Sequence, residues 1–277
     1  MKQLKIALFF SIWCLVACSN SNNENINKNK ATSTDSLTKK VGANNEPIVY
    51  DTAEFPANGS FLVRALTTGT FHSDEVWMNA DKEKWFGIFQ NTTGFYITST
   101  QLKIKRVRDE MFDESKNVKT GWEVKTTNKD TCIFLVESFP ALSNRSIQSV
   151  PLPKKQIYPG DTVKFQYLGI DYQLFATGGK KQNQDALNAV EVWNYKLYLS
   201  ATIKGQLHKS LLAAQPNFND KMISVIFAGD IDGDGIVDLL IDNSNHYNAT
   251  SPTLYLSKPA EKGEVLKPIG NHLTVGC

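Results

Sequence analysis

Four aspartates in the stretch GDIDGDGIVD, residues 229–238, form the densest group of potential metal ligands in the chain. They occupy positions 1, 3, 5 and 9 of a loop whose sixth position is a glycine, which permits a sharp turn. Alternate side chains of such a turn can point towards a common centre, where neighbouring carboxylates repel one another unless a cation or protons neutralise them. Because hard oxygen ligands in this number suit Ca²⁺, we predict a calcium site. The predicted ligands are the carboxylates of Asp230, Asp232, Asp234 and Asp238 and the backbone carbonyl of Ile236.

The longer stretch VIFAGDIDGDGIVDLLID, residues 225–242, is similar to the strand–loop–strand calcium unit of FG-GAP and VCBS-type repeats. The resemblance implies that the same loop residues bind Ca²⁺ between two strands. An EF-hand does not fit, because position 12 is Ile241, where that family has a bidentate glutamate, and because both flanks are strand-like. FG-GAP and VCBS-type units repeat to build propeller blades, whereas the motif occurs once here. The resemblance therefore implies neither a propeller nor a particular ligand.

A phosphatase motif is the alternative for the same aspartates. The sequence DIDG, residues 230–233, follows an apolar run and resembles the D-x-D-G-T motif of haloacid-dehalogenase-like phosphatases, in which the first aspartate is the nucleophile. Asp234 stands where that family has threonine, and Asp238 has no role in it. The motif also lies too near the C-terminus for the alternating helices and strands of that fold. These departures favour the calcium interpretation.

Outside this loop, few residues indicate catalysis. The chain contains no G-x-S-x-G, H-E-x-x-H, P-loop or C-x-x-C motif, and its four histidines share no ligand spacing. The polar loop after the predicted calcium strand is the exception, since we expect it to fold near the ion and to contact a sugar or a peptide. The alternative is an ordinary polar loop without a ligand. Its candidate contact residues are Asn245, His246 and Tyr247.

The first residues have the pattern of an export signal. Lys2 and Lys5 precede an apolar stretch that is too short to span a bilayer, which needs about 20 apolar residues. The stretch ends in LVAC, residues 15–18, which resembles a bacterial lipobox. The resemblance implies removal of residues 1–17 and attachment of diacylglycerol to the sulfur of Cys18. The alternatives are an ordinary signal peptide followed by an unrelated cysteine, or a leader that stays in the membrane.

The segment 18–47 is rich in Asn, Lys, Ser and Thr and poor in apolar residues. It cannot bury enough surface to offset the entropy of ordering the chain, so we predict a disordered tether between lipid and domain. Together with the lipobox, it predicts a lipid-anchored protein of the cell envelope, in the outer membrane of a Gram-negative cell. Whether the domain faces the periplasm or the outside stays open.

Charge and cysteine content limit the partners and the compartment. The net charge is +2, and removal of residues 1–17 leaves 28 basic and 28 acidic residues, without a clustered basic face. We therefore predict no nucleic-acid partner. Cys132 and Cys277 are the cysteines that remain besides Cys18, and an oxidising envelope favours a disulfide between them. A buried Cys132 and a free Cys277 are the alternative, because connectivity does not follow from sequence.

Residues 48–277 predict one β-rich domain, with a candidate internal boundary at 150–154. Short aromatic and β-branched runs, several with apolar–polar alternation as in residues 101–108, recur between turn signals such as Lys204-Gly205. This pattern indicates antiparallel sheets in a sandwich or an irregular barrel. We expect few or no helices, with residues 72–85 as the candidate for one. One strand–calcium loop–strand unit is expected near the C-terminus.

These features predict a non-enzymatic role. We expect an envelope-anchored binding or structural module stabilised by Ca²⁺, held to the membrane by its lipid and recognising a glycan or a protein partner. The alternative is a cell-envelope hydrolase of glycans or phosphoesters with a site that no motif reveals. Acids or histidines that converge in a cleft away from the aspartate loop would distinguish the two.

Overall fold

The structure is a computed structural model that describes residues 53–57, 59–182 and 190–276. The chain divides into two units, Met1–Val49 and Tyr50–Cys277, and only the second contains described residues. The predicted leader, the predicted lipidation site Cys18, the predicted tether and Cys277 therefore lie outside the described residues. Among the described residues, no helix has the length and apolar character that crossing a membrane requires.

The described residues are mainly β, as predicted, and their strands pair antiparallel throughout the sheets. Helical structure is limited to one 3-10 turn, Ala80–Lys82, inside the candidate helix 72–85. Asn79 there has a left-handed φ of 64°, which interrupts any continuous helix. The strands are β1 (Ala65–Leu66), β2 (Gly69–Phe71), β3 (Trp85–Asn91), β4 (Gly94–Thr100), β5 (Leu102–Val107), β6 (Gly121–Thr126), β7 (Thr131–Glu137), β8 (Arg145–Ile147), β9 (Thr162–Tyr167), β10 (Ile170–Gln182), β11 (Val190–Ile203), β12 (Gln206–Asn217), β13 (Ser224–Gly229), β14 (Asp238–Asp242), β15 (Ala249–Thr250), β16 (Pro252–Leu256), β17 (Lys267–Asn271) and β18 (Thr274–Val275).

The strands form four sheets and one short ribbon, and none of the sheets closes into a barrel within the described ranges. We name them by their strands. The orders are β12-β11-β10-β9 in the long-strand sheet, β13-β14-β16-β17 in the central sheet, β1-β7-β3-β4-β8 in the five-stranded sheet, β2-β6-β5 in the three-stranded sheet, and β15-β18 in the ribbon.

The central sheet is buried on both faces because its strands carry apolar residues at consecutive positions. Leu239 and Ile241 of β14 belong to the core shared with the long-strand sheet, where Leu197 and Leu199 lie. Leu240, between them, faces the opposite way, into the core shared with the five-stranded sheet. Successive residues of a strand point to opposite faces, so one short apolar strand serves two cores.

The five-stranded sheet also has two buried faces. Its second face carries Trp85 and Leu135, which pack against Trp122 and Val124 of the three-stranded sheet. The layers therefore stack in the order long-strand, central, five-stranded and three-stranded sheet. Residues 150–154 lie between β8 and β9. At this point the chain leaves the five-stranded and three-stranded sheets and enters the long-strand and central sheets.

Candidate metal centre

The predicted aspartate loop connects β13 to β14 in the central sheet. These strands pair antiparallel, with Gly229 opposite Asp238, so the loop starts and ends at one edge of the sheet. Gly233 and Gly235 have φ values of 79° and 86°, which L side chains rarely adopt, and they let the chain reverse within the loop. The strand–loop–strand arrangement expected for residues 225–242 is therefore present.

Three of the predicted carboxylates converge. One oxygen each from Asp230, Asp232 and Asp238 lies within 4.8 Å of the other two. Asp232 and Asp238 are fully buried, and Asp230 is partly buried. This buried triad could hold a metal ion, because it collects hard anionic oxygens at one point inside the fold.

Asp238 is the most enclosed member of the triad. Its Oδ2 accepts hydrogen bonds from the backbone N–H groups of Ile231 at 2.7 Å and Asp232 at 3.0 Å, and its Oδ1 accepts one from Ser257 at 2.8 Å. Burial and the nearby negative charge of Asp232 nonetheless raise the pKa of Asp238 well above its ordinary value. The three N–H donors offset only part of that effect, so the site favours a proton or a cation beside this carboxylate.

Asp232 joins the loop to the segment that follows β16. Its Oδ2 accepts a hydrogen bond from the backbone N–H of Lys258 at 3.0 Å, and the Ser257 hydroxyl lies 3.4 Å from the same oxygen. Burial, followed by the charges of Asp234 and Asp230, raises the pKa of Asp232 to about 6. The loop therefore concentrates more negative charge than its own hydrogen bonds stabilise.

Asp230 and Asp234 shape the loop from within. Asp230 accepts hydrogen bonds from the backbone N–H groups of Gly233, Asp234 and Gly235, which closes the turn. The carboxylate of Asp234 is exposed and lies outside the converging group, with the Ser257 hydroxyl donating to its Oδ2 at 2.8 Å. The fourth predicted carboxylate thus lies at the edge of the triad, bound to Ser257.

Ile236, predicted to offer its carbonyl, lies in the loop between Asp234 and β14. Its N–H donates to Oδ1 of Asp234 at 2.8 Å, and its half-buried side chain packs against the core shared with the long-strand sheet. The N–H of the next residue, Val237, donates to the hydroxyl of Tyr172 at 3.2 Å. The C-terminal half of the loop is therefore fixed to β10 as well.

Two basic residues that no local pattern predicted lie beside the loop. The Nζ of Lys258 contacts the backbone carbonyl of Asp232. The guanidinium of Arg145 lies against Gly233, where a Cβ atom would stand 0.7 Å from Nη1. Both come from distant parts of the chain, and no sequence pattern links them to the aspartates. Their charges reduce the electrostatic repulsion in the loop without entering the triad.

The candidate contact loop with Asn245, His246 and Tyr247 follows β14, whereas the aspartate loop precedes it. A strand of this length separates the two loops by about 13–17 Å at ~3.3 Å per residue. The expectation that this loop folds near the ion is therefore wrong. Its backbone pairs with Asn219 instead, since Asn219 N–H donates to the Asn245 carbonyl at 2.7 Å and Tyr247 N–H to the Asn219 carbonyl at 3.0 Å.

The remaining predicted site residue that the structure describes is Cys132. It lies in β7, forms no disulfide with any described residue, and is partly buried. Burial raises the pKa of its thiol to about 12. The predicted pairing with Cys277 concerns a residue outside the described ranges.

No protein-family model, no curated protein and no solved structure matches this chain.

Proposed function

We propose that this chain is an envelope-anchored lipoprotein whose β domain is a binding or structural module stabilised by Ca²⁺. The convergence of the Asp230, Asp232 and Asp238 carboxylates carries the proposal. The raised pKa values of Asp232 and Asp238 support it, because a bound cation would stabilise the ionised form of both groups.

Calcium is the ion that suits this site. Ca²⁺ accepts six to eight oxygen ligands at flexible geometry, whereas Mg²⁺ demands a near-ideal octahedron and retains several waters. The triad offers carboxylates from an irregular loop. We expect Asp234, which lies at its edge, and the Ile236 carbonyl to supply further oxygens when the ion binds. An affinity in the ~10⁻⁴–10⁻³ M range of extracellular modules fits a protein of the cell envelope.

The ion would stabilise the fold at the edge of the central sheet. Asp238 begins β14, Asp230 follows β13, and Asp232 is bonded to the segment after β16. A cation between these carboxylates would hold three strands of the central sheet together at one end. Because it binds only the folded chain, it stabilises the domain by mass action.

The anchor and the tether place the domain at a membrane surface without inserting it. The lipobox resemblance at residues 15–18 and the polar composition of residues 18–47 support this part of the proposal. A single lipid chain binds a membrane weakly, whereas two chains give stable anchoring, as the diacylglycerol at Cys18 provides. A calcium-rigidified domain on a flexible tether suits recognition of a partner near the membrane.

Thermal unfolding of the full chain in detergent tests the calcium site. A Ca²⁺ concentration about 100-fold above Kd stabilises by ~2.7 kcal/mol, which raises the Tm of a domain of this size by roughly 5–10 °C over EDTA. Mg²⁺ at the same concentration should give a smaller shift. The variant Asp232→Asn should abolish the calcium shift, whereas Asp171→Asn, an exposed carboxylate on β10, should retain it. Equal melting temperatures in EDTA and Ca²⁺ contradict the proposal.

A further inference from the structure

A second group of charged and aromatic residues lies in a cleft away from the aspartate loop. The cleft has a volume of about 440 Å³, within the ~300–1,000 Å³ typical of small-ligand sites. It opens between the three-stranded sheet and the ribbon of β15 and β18. Tyr247, from the candidate contact loop, forms part of its wall together with Val275 of the ribbon.

The cleft brings acids and a histidine together away from the aspartate loop, which is the feature that we expect of the hydrolase alternative. These groups hydrogen-bond to one another and to backbone N–H groups. Asp109 is buried, and its Oδ2 lies 2.6 Å from Nδ1 of His72. Glu75 accepts hydrogen bonds from the backbone N–H groups of His72 at 2.8 Å and Val275 at 2.6 Å. Arg108 donates to Glu110 at 2.6 Å. These residues come from three separate segments, which the fold has brought together to form a polar surface.

The rim of the cleft is apolar and exposed. The side chain of Tyr247 is 64% exposed and Val275 is 52% exposed. The partly buried Phe71 also lines the cleft. Single exposed apolar residues are ordinary, but a group of them around one polar cleft indicates a site of recognition.

We propose that this cleft binds a neutral carbohydrate. A sugar ring presents an apolar C–H face, which suits the exposed ring of Tyr247, and hydroxyls, which suit planar carboxylates and a guanidinium. Three acids face one arginine and one histidine in the cleft, so its net charge is negative and opposes an anionic ligand. The volume admits a small portion of a glycan.

The inference rests on the proposal that the domain is a binding module and names its ligand class. It does not rest on the metal site, because the residues that line the cleft do not include any residue of the aspartate loop. The two proposals can therefore fail separately.

Binding of the full chain in detergent to an array of immobilised glycans tests the inference, with calorimetric titration of the glycans that are retained. Neutral glycans built from glucose, galactose, mannose or N-acetylglucosamine should bind. Tyr247→Ala, at an exposed position, should weaken binding about tenfold, in line with the loss of one ring-stacking contact. Tyr247→Phe should retain most of the affinity because it keeps the ring. Leu207→Ala, 74% exposed and on β12, is the matched control and should bind as the parent does.

Binding to no neutral glycan, or to anionic glycans alone, overturns the inference, as does unchanged affinity in Tyr247→Ala. A calcium-dependent rise in Tm without glycan binding overturns the cleft assignment while the metal site stands. Glycan binding without such a rise supports the cleft and contradicts the calcium site.

Discussion

Acid should destabilise this domain through His272. The residue is 4% exposed and lies after β17, with its ring edge-on to Phe71 at a centroid distance of 4.9 Å. Its Nδ1 lies 3.0 Å from the backbone N of Thr67, an N–H donor, so Nδ1 must be the unprotonated acceptor. Nε2 then carries the proton and donates to the Glu75 carbonyl at 3.1 Å.

Protonation of Nδ1 would place a second N–H against that of Thr67 in a buried position. Burial accordingly lowers the pKa of His272 from 6.5 to about 4. A histidine with a depressed pKa in the folded state binds its proton more readily in the unfolded state, so stability rises with pH between these two values. The contribution of His272 to the free energy of unfolding is fully present above pH 7 and decreases as the pH falls. Between pH 7.5 and pH 5 the free energy of unfolding should fall by about 2 kcal/mol, because a shift of one pKa unit corresponds to ~1.36 kcal/mol.

Urea unfolding followed by tryptophan fluorescence at pH 7.5 and pH 5 measures this loss. Saturating Ca²⁺ is kept in both buffers, so that Asp232 and Asp238 do not titrate in the same range with the opposite sign. The variant His272→Gln should lose less stability between the two pH values than the parent, by about 2 kcal/mol. Leu207→Ala, at an exposed position on β12 without a titratable side chain, is the control and should keep the parent's pH dependence. Equal losses in the parent and in His272→Gln refute the reasoning.

Other perturbations address the loop, the anchor and the buried thiol. Gly233→Ala should lower the free energy of unfolding, measured by urea titration, by about 1–3 kcal/mol, because the φ of Gly233 is 79° and an added Cβ would displace Arg145. Gly263 has a φ of 90° but open space around it, so the control Gly263→Ala should lower the free energy of unfolding by only about 1 kcal/mol. Cys18→Ala should move the protein from the membrane to the soluble fraction on cell fractionation, and persistence in the membrane would contradict the lipid anchor. Cys132, whose thiol pKa burial raises to about 12, should resist iodoacetamide at pH 8 until the domain unfolds, as mass spectrometry can follow.

Local patterns predicted the strands and several turns well. The alternation in residues 101–108 corresponds to β5, and the turn Lys204-Gly205 joins β11 to β12 with φ values of 50° and 77°, as a tight hairpin requires. The spacing of the aspartates predicted three carboxylates that the structure brings together. These features depend on residues close in sequence. The alternation of side chains along a strand and the backbone conformations open to glycine determine which strands and turns form.

The stacking of the sheets and the neighbours of the loop did not follow from the sequence. Arg145 and Ser257 meet the aspartates only because distant strands pack at one edge of the central sheet. The sequence did not predict the cleft lined by Tyr247 for the same reason. His72 and Asp109 are 37 positions apart in the chain, and the three-stranded sheet brings them together. An apolar strand such as β14 indicates burial on both faces, but it does not identify the sheets that cover it.

The double burial of the central sheet has a consequence for how the chain is made. Its strands β13, β14, β16 and β17 follow the strands of the long-strand and five-stranded sheets in the chain, so the ribosome delivers the middle of the structure after the two sheets that cover it. Until residue 271 has emerged, the long-strand and five-stranded sheets have apolar faces and nothing to cover them. The layers can close only when all the strands of the central sheet have been made. A chain that ended before the central sheet would therefore expose two apolar sheet faces, which favour aggregation, and would not form a smaller stable domain.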